Sequence, residues 1–430
     1  MVSWSSASST VEYEAEWDDE DDFEEKNMNR RRFLGRSATS LAGFASLSGA
    51  MPNWAKSAQS PLVKGQIQGS YKPLKITDLK VHMLRGTPKS IYPSSGILRI
   101  ITGEGIEGWC NDVTEDMARL LQGSLREVLV GRDAMAREQL WHEMLHWERF
   151  KWLPRGLRGS VDIALWDIAG KKLGQPIWRL LGACRDQVPA YKTQSGTFGR
   201  EGQRVDHFIQ FALKAKAEGY LGSKDHCYAG ARFTMDLARE LRAAVGPGFH
   251  LMHDAVQHYD VADAIRVGRV LEKYDFDWLE EPLRDQDYIG LKKVCDALDI
   301  QVIAGEYFPA QLHGYCQMLA LGAADGIKPS PQESGGITEM LKLAHLAEAF
   351  GATVHVSTGT NMWGFSAAHV NGGIKNSPIM EVHPPFEQGT HRAVKNPLRV
   401  EKGYVKMPEK PGLGVDLDWS VIEAETEVVI

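Results

Sequence analysis

The sequence predicts an α/β protein: a parallel β/α barrel preceded by an α+β block. Three observations lead there. From Val188 onward, short apolar strands alternate with amphipathic helices, eight strands in about 195 residues. Before them lies a stretch of strands followed by helices. Three consecutive strand candidates also end in carboxylates, Asp254, Glu280 and Glu306, each 26 residues from the last. Eight units of this rhythm favour a closed parallel barrel, with an open doubly wound sheet as the alternative.

The first block, 75–186, opens with "KITDLKVHMLRG" and, after a polar gap, "ILRIITGEGIEGWC", read as strands around a Gly-containing turn at 103–105. Helical patterns follow through 115–182. The barrel domain, 187–383, contains the strand candidates VPAYK (188–192), YLGSK (220–224), FHLMHD (249–254), FDWLE (276–280), QVIAGE (301–306), ADGIK (324–328), ATVHV (352–356) and IMEVH (379–383). Between them, stretches such as 205–219 and 337–351 place apolar residues three and four apart, one face of a helix. The tail after 384 is expected to pack back on the first block.

Composition narrows the function. The chain has 430 residues, 43% of them hydrophobic, enough for a large core. Its net charge of −7 comes from ten acids within 12–25; without residues 1–27, which also contain Lys26, the remainder carries +2. The body therefore lacks the basic excess of a nucleic-acid binder. Five cysteines with no CxxC pair argue against a disulfide framework or a structural zinc site.

Residues 29–50, "NRRRFLGRSATSLAGFASLSGA", combine an arginine cluster, a weakly apolar stretch and small residues, the pattern of a twin-arginine export signal. The signal is expected over 28–58, with cleavage after Ala50 or Ala58, and a periplasmic destination. The acidic block before it is out of place in a signal, so 1–27 is read as a start-site artefact ahead of Met28 or as a disordered extension. No membrane span is expected after processing.

In a parallel barrel the carboxyl ends of the strands converge on one mouth. The candidates there are Lys224, His226, Asp254, Glu280 or Glu281, Glu306, Asp325, His355 and Glu381. Three convergent carboxylates near a dry core repel one another unless a cation neutralises them, and oxygen-only ligation selects a hard ion such as Mg²⁺. Alternation places Trp278 and Glu280 on one face and Leu279 and Glu281 on the other. The 26-residue spacing selects Glu280 as the ligand and leaves Glu281 to supporting hydrogen bonds. Asp325 and His355 suggest a carboxylate that orients an imidazole base. Lys224 and His226 share a face, and a lysine beside a cation has its protonated form disfavoured, which suits a base.

This ordered set, with "WLEEP", "GRDAMAREQLWHEML" and "RGSVDIALWDIAGKKLGQPIWRLLG", resembles the mandelate racemase/muconate lactonizing branch of the enolase superfamily. The resemblance runs from about Lys75 to Asp418. It implies a modified (β/α)7β TIM-type barrel with an α+β capping domain completed by 384–430. It also implies one Mg²⁺ per subunit on Asp254, Glu280 and Glu306, with Mn²⁺ able to substitute. His355 with Asp325 would be the catalytic dyad, and Glu381 the acid that hydrogen-bonds the substrate carboxylate opposite the metal. Two departures stand out: His226 replaces the second lysine of a Lys-x-Lys pair, and Cys110 sits where "GWGE" is common.

The implied chemistry is abstraction of a proton α to a carboxylate, with electrostatic stabilisation of the ene-diolate. The expected activity is dehydration of a sugar acid to a 2-keto-3-deoxy acid. A racemase, epimerase or cycloisomerase using the same intermediate is the alternative, and an exported sugar-acid binding protein without turnover is the remote one. The expected partner is a small carboxylate; cap-loop residues such as Lys89 and Tyr92 are read either as contacts to its hydroxyls or as ordinary exposed loop residues. A homo-oligomer is expected, and no nucleic acid.

Overall fold

The computed structural model describes residues 71–85, 96–194, 204–227, 229–306, 311–358, 364–383 and 393–430. The proposed export signal, the acidic block, Lys89 and Tyr92 lie outside the described residues. No described helix is long and apolar enough to cross a membrane.

Three antiparallel strands, β1 (Ile76–Leu84), β2 (Gly96–Thr102) and β3 (Glu107–Val113), form the first sheet. The helix Arg155–Leu173 lies across it, buried along nearly its whole length. Gly108 allows this approach: a Cβ there would stand 2.0 Å from the Ala164 carbonyl oxygen. Gly174, at φ 65, ends the helix in the left-handed conformation that a glycine adopts without cost.

Eight parallel strands follow in chain order. They are β4 (Gln187–Thr193), β5 (Gly222–His226), β6 (His250–Asp254), β7 (Trp278–Glu280), β8 (Gln301–Ala304), β9 (Gly326–Ile327), β10 (Thr353–Val354) and β11 (Met380–Val382). Each pairs with the next from β4 to β10, and β11 returns to pair with β4. Among the described residues, β10 and β11 share no ladder pairs, so the ring of hydrogen bonds has one open seam.

After the barrel strands, the hairpin β12 (Val400–Glu401) and β13 (Tyr404–Lys406) adds to the early part of β4. The last strand, β14 (Thr426–Val429), pairs antiparallel with β1, giving the first sheet the order β14-β1-β2-β3.

The two-residue alternation of the barrel strands sorts their side chains. Outward-facing Leu251, Leu279, Val302, Ile327, Val354 and Val382 join the large apolar layer under the helices. Inward, Tyr191, Met252, Trp278 and Ile303 form a separate small plug. One step further along the same faces, the inward side chains become ionisable: Lys224, Asp254, Glu280, Lys328, His355 and Glu381, all buried.

Candidate active site

Four of these inward residues come from alternate strands and close a ring of alternating charge. Lys224 follows from β5, Glu280 from β7, Lys328 from the end of β9 and Glu381 from β11. The Lys224 ammonium bonds Glu280 Oε1 and lies 2.9 Å from Glu381 Oε1. Lys328 Nζ lies 2.9 Å from Glu381 Oε2 and 3.4 Å from Glu280 Oε1. All four side chains have exposures of 0–1%. Burying ions in a barrel is costly, and here each charge is offset by two of opposite sign.

The metal candidates sit against this ring. Asp254, Glu280 and Glu306 each offer one oxygen, and the three oxygens lie within 4.8 Å of one another. Glu306 reaches the cluster by a backbone device. Alternation from inward Ile303 would turn residue 305 inward, but Gly305 adopts φ 99, outside the range comfortable for other residues, and Glu306 follows it. The Tyr315 hydroxyl donates to the Gly305 carbonyl at 2.6 Å and holds the turn.

Glu281 points elsewhere. Its Oε1 accepts the Glu306 amide at 3.0 Å, and its backbone has φ 42. Burial raises its pKa well above the ordinary carboxylate value, with neighbouring Asp285 and Glu306 adding to the effect. Asp285 accepts the Gly305 amide at 2.8 Å, and burial pushes it up to about 6. The doubled acid in "WLEEP" is thus one inward carboxylate and one brace for Glu306.

The electrostatics of the ring follow from its contacts. Burial opposes the charge on Lys224 and on Lys328, but the carboxylates of Glu280 and Glu381 outweigh it and hold both ammoniums well above the usual lysine value. Burial likewise opposes the charge on Glu381, yet the two ammoniums keep it ionised. For Glu280 burial prevails, and its pKa rises to about 7. Asp254 is held far below its ordinary value: burial works against this, and Lys224 and His226 overcome it. His226 Nε2 lies 3.1 Å from Asp254 Oδ2, and that carboxylate raises the imidazole's pKa against the effect of burial.

The Asp325–His355 dyad is corrected by the structure. Strand β9 begins at Gly326, so Asp325 precedes it, at the foot of the barrel rather than the mouth. Its carboxylate accepts the Val302 amide at 2.9 Å. His355 Nε2 meets Thr353 Oγ1 at 3.0 Å, and its buried Nδ1 has no hydrogen-bond partner among the described residues. Burial and then Lys328 and Lys224 push the imidazole down to about 3, so it is neutral, with the Trp278 ring 4.6 Å away. At the mouth the position expected of Asp325 falls to Lys328, which the sequence reading misses. Counting two inward from Gly326 would have found it.

The surroundings of Glu381 set its charge in this ring. To hydrogen-bond a substrate carboxylate an acid must carry a proton, and the two flanking ammoniums favour the ionised form of Glu381. In this arrangement the donors toward a bound anion are Lys224 and Lys328.

As a donor set, three buried carboxylates on consecutive strands, with no sulfur and one imidazole bonded to Asp254, suit a hard divalent cation.

Comparison with known proteins gives two family matches. Residues 207–421 match the enolase C-terminal domain-like family, and residues 81–182 match the mandelate racemase / muconate lactonizing enzyme N-terminal domain. The D-galactarolactone cycloisomerase of Agrobacterium fabrum is 29% identical over 377 residues, covering 80% of this chain and 97% of that protein. The L-rhamnonate dehydratase of Saccharopolyspora erythraea is 31% identical, covering 71% and 78%. Among solved structures, D-glucarate dehydratase from Agrobacterium tumefaciens, complexed with magnesium, superposes with a TM-score of 0.75 at 30% identity, over 83% of this chain and 100% of that one.

Proposed function

The chain belongs to the mandelate racemase / muconate lactonizing enzyme branch of the enolase superfamily, and on that premise we propose that it dehydrates a sugar acid to a 2-keto-3-deoxy acid in a Mg²⁺-dependent reaction. The observation that carries this reading is the meeting of Asp254, Glu280 and Glu306 beside two buried lysines. The names of the similar dehydratases support the choice of reaction.

Asp254, Glu280 and Glu306 would hold the ion, which when bound supplies Lewis-acid stabilisation to the enolised carboxylate. The chain's own groups do the rest. Lys224 presents an ammonium donor where negative charge develops on the substrate oxygens. Lys328 is the proposed proton acceptor from the α-carbon and would act as the neutral amine, a form that a cation held by Glu280 would favour by competing for its carboxylate. Lys224, an ammonium, can supply the proton that the departing β-hydroxyl needs, and His355, already neutral, can accept one. His226, tied to Asp254, faces the same mouth from β5.

A second reading has its own support. Lys224 and Lys328 stand four strands apart in an eight-strand ring, so proton-transfer groups approach from opposite sides, as a racemase, epimerase or cycloisomerase requires. The similar cycloisomerase points the same way.

A library of acid sugars incubated with Mg²⁺ in D₂O separates these outcomes. Formation of a 2-keto acid supports dehydration, α-deuterium exchange without elimination supports an isomerase, and no exchange with any acid sugar supports a binding protein. Full activity in Lys328→Met would overturn the assignment of the base.

A further inference from the structure

The apolar layer outside the barrel has a polar interruption directly behind the metal candidates. Asp225 and His253 face outward from β5 and β6, are 6% and 0% exposed, and lie opposite each other in the ladder. His253 Nδ1 donates to Asp225 Oδ1 at 2.7 Å, and that same oxygen accepts the Cys227 amide at 3.1 Å. His253 Nε2 meets the Tyr259 hydroxyl at 2.9 Å, and Tyr259 lies 2.8 Å from Thr234 Oγ1 on the helix Ala231–Val245. The neighbouring outward positions Leu251 on β6 and Leu279 on β7 are apolar.

We propose that Asp225 and His253 form a positioning pair for the metal site. The reasoning rests on the reading of Asp254 as a metal ligand. Alternation places Asp225 between Lys224 and His226, and His253 immediately before Asp254. The next rung inward pairs His226 with Asp254, whose side chains meet at 3.1 Å. The outer bond therefore joins the two strand ends one residue from the inner one, and sets the separation at which His226 and Lys224 meet Asp254. Tyr259 carries the constraint onward. Its amide donates to the Pro282 carbonyl at 3.1 Å and that of Gln257 to the Glu281 carbonyl at 2.7 Å, so the segment after β6 is tied to the segment that follows Glu280.

A buried polar pair is often no more stabilising than an apolar pair of similar volume, whereas a directed bond fixes geometry that apolar contact leaves loose. That difference supplies the test. Mn²⁺ affinity, read by electron paramagnetic resonance titration of the full chain, is compared with the thermal midpoint in wild type, Asp225→Asn and the double variant Asp225→Val/His253→Leu. The expected result is a loss of about ten- to a hundred-fold in Mn²⁺ affinity in both, as for other residues that orient metal ligands, with the midpoint of the double variant kept or raised. A folded double variant that binds Mn²⁺ within two-fold of wild type overturns the proposal. Should the double variant not fold, Tyr259→Phe takes its place: a several-fold loss supports the positioning role, and unchanged affinity overturns it. A wild type that does not bind millimolar Mn²⁺ instead overturns the metal reading on which the proposal stands.

Discussion

Lys224 and Lys328 project from opposite sides of the barrel and meet the same two carboxylates. Each contacts Glu280 Oε1, and each takes one oxygen of Glu381. Neither lysine can be changed without leaving two buried acids short of a counter-ion.

Lys328→Met is therefore expected to act on two observables. Breaking a buried ion pair from one side costs about 3–5 kcal/mol, which denaturant titration would read. Loss of a positioned base lowers α-proton exchange by about 10²–10⁴, which NMR in D₂O would read. Destabilisation with unchanged exchange would reduce Lys328 to a structural charge.

The two adjacent glutamates should separate by function. Glu280→Gln removes one of three convergent oxygens and is expected to abolish measurable Mg²⁺ binding by calorimetry. Glu281→Gln retains an acceptor for the Glu306 amide, and burial already favours the uncharged form, so its affinity is expected to stay within about ten-fold. Equal losses would contradict the assignment.

Gly305→Ala tests the turn that delivers Glu306. A Cβ there would lie 2.8 Å from the Tyr315 ring, at a φ of 99 that alanine rarely adopts. A stability loss of about 1–3 kcal/mol is expected, together with weaker Mg²⁺ binding. A variant of full stability and affinity would show that the strand end adapts.

Acid stability should depend on His369, far from the mouth. Its Nδ1 accepts the Trp178 amide at 3.1 Å and its Nε2 donates to the Leu413 carbonyl at 3.0 Å, so both nitrogens are used by the neutral ring. Burial pushes its pKa down to about 4. A folded value below the unfolded one of about 6.5 means the stabilisation is complete above pH ~6.5 and lost as pH falls toward 4. The total at stake is on the order of 3 kcal/mol. Thermal melts of wild type and His369→Gln should diverge less at pH 4.5 than at pH 7, and parallel curves would remove His369 from the account.

How much of this is legible in the sequence depends on the kind of signal. The barrel rhythm is written as alternating strand and helix patterns, and the repeat of 26 finds all three acids, but only Asp254 and Glu280 are level in the ladder; Glu306 stands three residues beyond Ile303, the partner of Glu280. The part played by Lys328 is not written that way. In "ADGIK" an acid and a lysine bracket a strand only two residues long, and which of them reaches the mouth depends on where pairing with β8 begins. The ionisation of Glu381 is likewise hidden, since it follows from lysines 157 and 53 residues away that only the closed ring brings together. Parity also misleads at Glu306, where one glycine resets the alternation.

The antiparallel pairing of β14 with β1 bears on how the molecule is made. The first sheet begins with residues near the amino end of the folded body but takes its outer strand from Thr426–Val429, so its hydrogen bonding stays incomplete throughout elongation of the nascent chain. The barrel strands, drawn from 187–382, all emerge from the ribosome before that last strand is available. Completion of the cap thus waits until this segment has been made, and removal of Thr426–Val429 would leave β1 with an unpaired edge.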